Sequence, residues 1–279
     1  MAEATLRHEA FRGQPAIVLS LPCGDSLRVL RHGAHAVSWV AGGRERLYLS
    51  PASAFDGRSA IRGGVPVCFP QFNLRGALPK HGFARNLPWA LEDQVLEAGQ
   101  GRLVLRLAAG PATRAYWPQD FEARLRLELT PGELQLTLDV RNTDAQPLTF
   151  TGALHTYFAV DDIAHVRLEG LQGQPEWDAV TDSHATGVSP LRFDAEFDRV
   201  YQATPEPLLL RDGAHALSIA QSPSWAQTVV WNPGRDKALA DLPTGGHARM
   251  LCVEAAQVMT PITVAPGGQW QGWQRLSLR

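Results

Sequence analysis

Cysteine is scarce in this chain of 279 residues, and so are long apolar runs and any excess of one charge. The three cysteines, Cys23, Cys68 and Cys252, form no C-x-x-C pair, which argues against a disulfide framework and against a thiolate zinc site. Because each has apolar neighbours, we expect three small buried thiols. The apolar stretch at 16–21 is too short for a secretion signal or a membrane span. Together these features predict a cytoplasmic protein that does not bind membranes.

The charge balance gives no general affinity for a polyanion. The chain has 26 Lys and Arg against 28 Asp and Glu, for a net charge of -2, so we expect no nucleic-acid partner. A local basic pocket for one small anion remains compatible with this balance. The hydrophobic fraction of 44% and the charged fraction of 19% are typical of a folded protein with a sizeable core.

Several catalytic motifs are also missing. No Gly-rich loop ends in Lys-Ser/Thr, no G-x-G-x-x-G follows a strand and no G-x-S-x-G occurs, which argues against nucleotide-driven, nicotinamide and serine-esterase chemistry. His32-Gly33-Ala34-His35 differs from His-Glu-x-x-His, and in a strand its two rings would point to opposite faces. We therefore expect no metal site there.

The dominant pattern is an alternation of apolar and polar residues with a period of two. It runs through 121–129, is interrupted by a Pro-Gly turn at 131–132, and resumes through 134–140. This pattern predicts an antiparallel hairpin with one solvated face. Shorter runs at 208–210 and 217–219 flank an Asp-Gly pair, which is a second hairpin signal.

Helices should be few and short, because no stretch longer than about ten residues keeps a helical apolar period. The 25 glycines and 20 prolines are spread through the chain, and no linker or repeat divides it. We predict an all-β fold with a single antiparallel domain over residues 1–279, built as a sandwich of two large sheets.

Four segments break the alternation, and function on a β scaffold tends to lie in such places. They carry ionisable residues in apolar or Gly-rich surroundings: IRGGVPVCFPQF at 61–72, LPKHGFARN at 78–86, GALHTYF at 152–158 and MLCVEAA at 250–256. In the last segment, Glu254 lies in a run that otherwise has the composition of a buried strand. An ionised carboxylate there needs a partner or a raised pKa, so we favour a general base in a pocket over a core glutamate paired with an arginine.

Histidines and arginines complete the candidate set. His155 alone would more often be structural, but with Glu254 it supplies the two groups that acid–base chemistry needs. His81 lies in a loop beside Arg85, and Arg62 lies in a Gly-rich segment. Two guanidinium groups in such loops are suited to bind a carboxylate or a phosphate. The eight tryptophans offer aromatic faces that suit a sugar ring, although most tryptophans fill cores.

The four segments, in this order and spacing, resemble the aldose 1-epimerase-like superfamily, and more narrowly its glucose-6-phosphate 1-epimerase (hexose-6-phosphate mutarotase) branch. Further motifs that carry the resemblance are HGFARNLPW at 81–89, EFDRVY at 196–201 and VVWNP at 229–233. The similarity runs from about residue 10 to the C-terminus. It implies a galactose-mutarotase-like β-supersandwich that acts as a monomer, without a cofactor, on a small sugar phosphate.

The resemblance also implies roles for individual residues. His155 takes the general-acid role and Glu254 the general-base role. The implied substrate-binding residues are Arg62, Gln71, His81, Arg85 and Asp198. At least one of the two arginines is expected to meet the phosphate. The expected activity is interconversion of the α and β anomers of a hexose 6-phosphate, glucose 6-phosphate first. Because opening the ring removes one proton and adds another, we expect the base and the acid to face each other across the sugar.

Three other functions stay open at this point. An epimerase of unphosphorylated aldoses would share the acid–base pair and differ in its relative activity on glucose and glucose 6-phosphate. A non-catalytic carbohydrate-binding module would keep the aromatic faces but has no reason to bury an acid and a base together. A β-sandwich interaction domain is disfavoured, because the irregular segments hold so many ionisable groups.

Overall fold

Antiparallel strands dominate the computed structural model, which describes residues 2–279. The strands form three sheets. Sheet A has five strands in sequence order: β1 Thr5–Phe11, β2 Gln14–Ser20, β3 Ser26–Leu30, β4 His35–Ala41 and β5 Arg44–Glu45.

Sheets B and C are larger, with eight strands each. The strands of sheet B are β7 Ala90–Glu97, β8 Gln100–Ala108, β9 Phe121–Thr130, β10 Glu133–Asn142, β13 Arg167–Glu169, β17 Leu208–Asp212, β18 His215–Gln221 and β21 Gln269–Leu278. The strands of sheet C are β6 Val67–Cys68, β11 Leu148–Leu154, β12 Tyr157–Ala159, β14 Pro175–Asp178, β15 Ser183–Thr186, β16 Phe197–Gln202, β19 Gln227–Asn232 and β20 Met250–Val264. The spatial orders are β13-β17-β18-β21-β10-β9-β8-β7 in sheet B and β15-β14-β16-β19-β20-β11-β6 in sheet C, where β12 also pairs with β20.

Helices are few and short, as predicted. The described chain contains one four-residue α-helix, α1 Pro111–Arg114, and three 3₁₀ turns at Ala84–Asn86, Ile163–His165 and Gly246–Arg249. The all-β prediction is confirmed, and sheet A is an addition to the two large sheets that the sequence indicated.

Both predicted hairpins form. In the first, β9 and β10 pair so that Leu134 faces Leu129 across the turn, with Gly132 in the left-handed conformation at φ 72°. In the second, β17 and β18 meet at Gly213. Their apolar side chains alternate with polar ones, because successive residues of a strand point to opposite faces.

Strand β20 separates the main core from the opposite face of sheet C. We call this opposite face, on which Cys252 and Glu254 lie, the functional face. Leu251, Val253 and Ala255 belong to the core cluster that also contains the apolar residues of β9 and β10. The alternate residues, Cys252 and Glu254, therefore point to the opposite face. Both are buried, so this strand is covered on its two sides.

The cysteine prediction is wrong at one position. Cys68 and Cys252 are buried, but Cys23 is exposed. It lies in the turn between β2 and β3, where Gly24 donates to the carbonyl of Leu21. Apolar neighbours in sequence do not bury a side chain that a turn directs outward.

Among the described residues, no helix has the length and hydropathy of a membrane span.

Candidate active site

A cavity of about 290 Å³ lies against the functional face of sheet C. Its walls come from the irregular segments singled out in the sequence and from strands β16, β19 and β20. The cavity brings together six of the seven predicted site residues: Arg62, His81, Arg85, His155, Asp198 and Glu254. These residues are distant in the chain, so strand pairing and loop placement create the site.

Strand pairing explains why His155 and Glu254 meet. Leu154 pairs with Ala255 in β20, and Tyr157 pairs with Cys252. Counting between these pairs places His155 opposite Glu254, and directly opposite residues of an antiparallel pair have neighbouring side chains. The His155 backbone N–H leaves the ladder and donates to the Pro66 carbonyl at 3.0 Å.

The two side chains are in direct contact. Nδ1 of His155 lies 3.3 Å from Oε1 of Glu254, with the carboxylate only 1% exposed. We expected the two groups to face each other across a sugar, and this contact means that both approach from one side. Nδ1 of His155 and Oε2 of Glu254 have no hydrogen-bond partner among the described residues. The pair therefore retains free capacity to exchange protons with a ligand.

Burial shifts both groups of this pair toward their neutral forms. It raises the pKa of Glu254 well above its usual value, and the negative charge of Asp198 adds to the effect. Burial also lowers the pKa of His155, with further contributions from the positive charges of Arg85 and Arg62. In the free protein the neutral state of the pair is thus favoured, with one proton on the carboxyl group.

His81 presents a defined tautomer to the cavity. Its Nδ1 accepts a hydrogen bond from the backbone N–H of Asn73 at 3.2 Å. Burial and the neighbouring His155 lower the pKa of His81, so the ring is neutral. The proton must then lie on Nε2, which makes that atom a hydrogen-bond donor for a sugar oxygen.

The two predicted arginines differ in how they are held. Nε of Arg62 donates to Asp241 at 2.7 Å, Nη1 donates to the Tyr157 hydroxyl at 3.3 Å, and the guanidinium lies 5.6 Å from the Trp231 ring centroid. Arg85 donates from Nη2 to the Lys80 carbonyl at 2.9 Å, and its Nε has no partner among the described residues. Arg62 is therefore neutralised by a carboxylate, whereas Arg85 keeps an unbalanced charge.

Gln71 does not line the cavity. Its side-chain amide donates to the carbonyls of Asn73 and Leu78 at 2.9 and 3.0 Å, and its oxygen accepts from the Leu78 N–H at 2.9 Å. These bonds occupy the amide group within the loop that carries His81. In this structure Gln71 braces that loop, and its contact with substrate stays a prediction.

The second carboxylate of the cavity, Asp198, lies on β16 opposite Trp231. Burial raises its pKa from 3.8 to about 6, although Lys237 works in the other direction. The folded protein therefore holds this proton more tightly than the unfolded chain. The stability that the protonated Asp198 carboxyl group contributes is fully present below pH 3.8 and is lost as the pH rises through about 6.

Because the pKa of Asp198 is raised in the folded protein, we predict that Asp198→Asn stabilises the protein above pH 6. The neutral amide avoids the cost of ionisation, so we expect the free energy of unfolding to rise by about 1–3 kcal/mol near neutral pH and to change little near pH 4. Urea denaturation at the two pH values measures the difference.

Asp178→Asn is the matched control. Burial opposes ionisation of Asp178, but the N–H groups of Val180 and Thr181 lower its pKa overall. The Asp178 variant should therefore lose stability at neutral pH, whereas the Asp198 variant should gain it. Destabilisation of Asp198→Asn at neutral pH would contradict the burial argument.

Comparison with known proteins identifies the relatives of this chain. The model of the family described as aldose 1-epimerase matches residues 15–277. This chain belongs to the aldose 1-epimerase family. It is an enzyme of the isomerase class, and its family interconverts the anomers of sugars.

Individual relatives agree with this assignment. A protein of Cenchrus ciliaris named "Putative glucose-6-phosphate 1-epimerase" is 37% identical over 260 residues, which are 88% of this epimerase and 79% of the relative. A protein of Escherichia coli K12 with the same name is 36% identical over 232 residues, 80% of this chain and 77% of the relative. The crystal structure named "putative mutarotase (YeaD)" from Salmonella typhimurium superimposes with a TM-score of 0.90 at 30% identity, and covers 98% of this chain and 93% of its own.

The structure also adds cavity residues that sequence reasoning missed. Tyr157 stacks on His155 with ring centroids 4.7 Å apart and an interplanar angle of 7°. A signal for it existed, because residues 155 and 157 of an extended segment point to the same side. Asp241 and Lys237 line the cavity of the epimerase from a loop with no distinctive pattern, so no signal could have found them.

Three tryptophans illustrate the two environments, the cavity and the core. Trp231 lines the cavity, where its ring gives a sugar an apolar face. Trp89 and Trp225 are buried in the core cluster. Of these three, Trp231 is the one available to a ligand in the cavity.

Proposed function

We propose that this epimerase interconverts the α and β anomers of a hexose 6-phosphate, with glucose 6-phosphate the first candidate. The observation that carries the proposal is the contact between His155 and Glu254 in a cavity that also holds Lys80 and Arg85. Neither of these two cations forms an ion pair with a carboxylate within residues 2–279. The names of the relatives support the same substrate.

The chemistry is a transfer of two protons at one carbon. In ring opening, Glu254 takes the proton of the C1 hydroxyl and His155 gives a proton to the ring oxygen. The bond between C1 and the ring oxygen breaks, and the hydroxyl oxygen becomes the carbonyl oxygen. After rotation about the C1–C2 bond, the reverse transfers close the ring on the other face of the carbonyl. Each residue ends the cycle in its starting state.

The contact between the two residues suits this chemistry. Both reacting oxygens are bonded to C1, so an acid and a base 3.3 Å apart can serve them together from one side of the ring. Proximity of the two groups removes the need to assemble acid, base and sugar separately. The neutral His81 adds a donor for a sugar oxygen, and the Trp231 ring adds an apolar wall.

The phosphate would also favour the protonated form of His155. Ring opening starts from an ionised Glu254 and a protonated His155, whereas burial and the charge of Arg85 hold the pKa of His155 low. A phosphate dianion beside Arg85 offsets that charge, which raises the pKa of His155. Binding of the phosphorylated sugar thus favours the acid form that the reaction needs.

Arg85 is the better candidate for the phosphate contact. Arg62 is already paired with Asp241 at 2.7 Å, and breaking that pair would offset what a phosphate contact contributes. Arg85 has an unpartnered Nε and lies beside the Lys80 carbonyl, so its guanidinium and the Lys80 ammonium belong to one loop. Guanidinium and ammonium groups together are well suited to a phosphate.

We therefore expect Arg85→Ala to raise the KM for glucose 6-phosphate by about 10–100-fold, because a hydrogen bond to a charged group contributes about 1.5–3 kcal/mol. The KM for glucose should change much less, since glucose has no phosphate to lose. Saturation-transfer NMR on the anomeric protons of the two sugars measures both values and separates turnover from mere binding.

Arg75→Ala is the control, because Arg75 is exposed, lies over the Trp177 ring and does not line the cavity. It should leave both KM values near those of the wild type. Equal effects of Arg85→Ala on the two sugars would instead favour an epimerase of unphosphorylated aldoses.

The working form of the enzyme is part of the proposal. We propose a cytoplasmic monomer that needs no cofactor, since the two proton-transfer groups and the cations of the cavity come from one chain. Sedimentation analysis at assay concentration tests the oligomeric state, and a dimer there would contradict it.

A further inference from the structure

The proposed proton transfer makes no use of the thiol of Cys252, which lies beside the acid–base pair. Cys252 and Glu254 are two residues apart on β20 and therefore point to the same face. One donor atom from each of Cys252, Glu254 and His155 lies within 4.8 Å of the other two, and all three residues are buried. A nitrogen, a carboxylate oxygen and a sulfur atom thus converge at one point, and two of the three residues, His155 and Glu254, line the cavity.

Two of these donors have unused bonding capacity. Nδ1 of His155 and Oε2 of Glu254 lack hydrogen-bond partners among the described residues. Buried polar atoms without partners are rare in folded proteins and call for an explanation. Burial raises the pKa of the Cys252 thiol, so in the absence of a metal the sulfur is a neutral thiol rather than a nucleophile.

The separation of the donors suits a tetrahedral metal ion. Zinc binds histidine nitrogen and carboxylate oxygen at about 2.0–2.2 Å, which places two such ligands roughly 3.4 Å apart at a tetrahedral angle. Nδ1 of His155 and Oε1 of Glu254 are 3.3 Å apart before any adjustment. The sulfur atom completes a set of three protein ligands, and a fourth position remains for water or a sugar hydroxyl.

The charges also balance. A thiolate and a carboxylate neutralise a divalent cation, and a bound metal deprotonates a thiol that is otherwise protonated. Arg62 and Arg85 place positive charge nearby, which opposes a cation, but Arg62 is paired with Asp241 and the carboxylate of Asp198 faces the same cavity. Thiolate and imidazole ligands favour zinc and related ions over magnesium or calcium.

We propose that His155, Cys252 and Glu254 form an inhibitory site for Zn²⁺ and similar thiophilic divalent cations. The ion reaches the site through the cavity, displaces the proton of the Cys252 thiol and that of the Glu254 carboxyl group, and occupies the two groups that otherwise move protons. Binding rests on the geometry of the three residues alone. Inhibition of anomer exchange rests in addition on the proposed function.

The three cysteines of the chain provide the reference and the controls. Cys23 is exposed and would bind metal on its own, so Cys23→Ser serves as the reference protein. Cys252→Ser in that background removes the proposed ligand with little change in volume, and Cys252→Ala is a second variant should serine fail to fold. Cys68→Ser removes the other buried thiol, which pairs across the sheet with Ala153 and is not part of the cluster.

Two measurements test the proposal. Titration with Cd²⁺ should produce the ultraviolet charge-transfer band of a cadmium thiolate, saturating at one ion per chain, in the reference protein and in the Cys68 variant but not in the Cys252 variants. Zn²⁺ should inhibit anomer exchange reversibly, with recovery on addition of EDTA. The Cys252 variants should need at least tenfold more Zn²⁺ for half inhibition, with a metal-free rate within about twofold of the reference.

Each contrary result has a distinct meaning. Absence of the band in the reference protein, or its persistence without Cys252, overturns the site. Equal Zn²⁺ sensitivity with and without Cys252 overturns its role in inhibition. If the protein fails to exchange anomers at all, the proposed function is wrong, while the cadmium band still reports on the metal site independently.

Discussion

Replacing Glu254 with glutamine should remove about 99% or more of anomer exchange and leave the protein folded. The amide has nearly the same shape but cannot accept the C1 hydroxyl proton, and such a group contributes about 10²–10⁴-fold to the rate. Because Glu254 is only 1% exposed and burial raises its pKa, its ionised form costs stability. The glutamine variant should therefore be at least as stable as the wild type near neutral pH. NMR exchange rates and urea denaturation measure the two effects.

Glu176→Gln provides the matched control. Glu176 is also a buried carboxylate in sheet C, but it is paired with Arg199 at 2.9 Å and does not line the cavity. Its substitution should lower stability, since it removes one of the two carboxylates paired with Arg199, and should leave the exchange rate of the folded fraction unchanged. A folded Glu254→Gln protein with a rate close to that of the wild type would remove this carboxylate from the mechanism.

The second large effect is expected for His155→Ala, which should lower the exchange rate by a similar factor of about 10²–10⁴. The variant also loses the stacking on Tyr157 and leaves a cavity, so we expect a loss of about 1–3 kcal/mol in the free energy of unfolding. His155→Asn retains more volume and hydrogen bonding yet cannot carry the proton. It should be more stable than the alanine variant and equally slow, which separates chemistry from packing.

A buried histidine outside the cavity lining serves as the control. His35 is 1% exposed and lies 2.7 Å from the Gly63 carbonyl through Nε2. His35→Gln preserves a donor at about the same reach and should retain most of the exchange rate.

The double variant of Glu254→Gln with His155→Ala should be no slower than the worse single variant, because the effects of groups that act as a unit are not additive. Multiplied losses would mean that the two residues act in separate steps.

The alternation of polar and apolar residues determined much of the fold. Alternation through 121–140 indicated the β9–β10 hairpin, and the sequence contained no sustained helical period. Both signals are local, because the direction of a side chain in a strand depends on its own position and its immediate neighbours. Residue type and surroundings likewise marked Glu254 as an unusual carboxylate in a buried strand.

Pairing between distant segments decided the rest. The 3.3 Å contact of His155 with Glu254 depends on the register of β20 against β11 and β12, which no local pattern specifies. The salt bridge of Arg62 with Asp241 depends likewise on where a distant loop passes.

Local sequence context did not specify the surroundings of the Gln71 and Cys23 side chains. The amide of Gln71 is occupied within its own loop, and a turn exposes Cys23 despite apolar neighbours. The sequence by itself therefore determined which residues could carry the chemistry and that they lie on β-strands and loops. Only the tertiary structure decided which of them meet, because hydrophobic alternation orients each strand toward the core but leaves its partners to long-range packing.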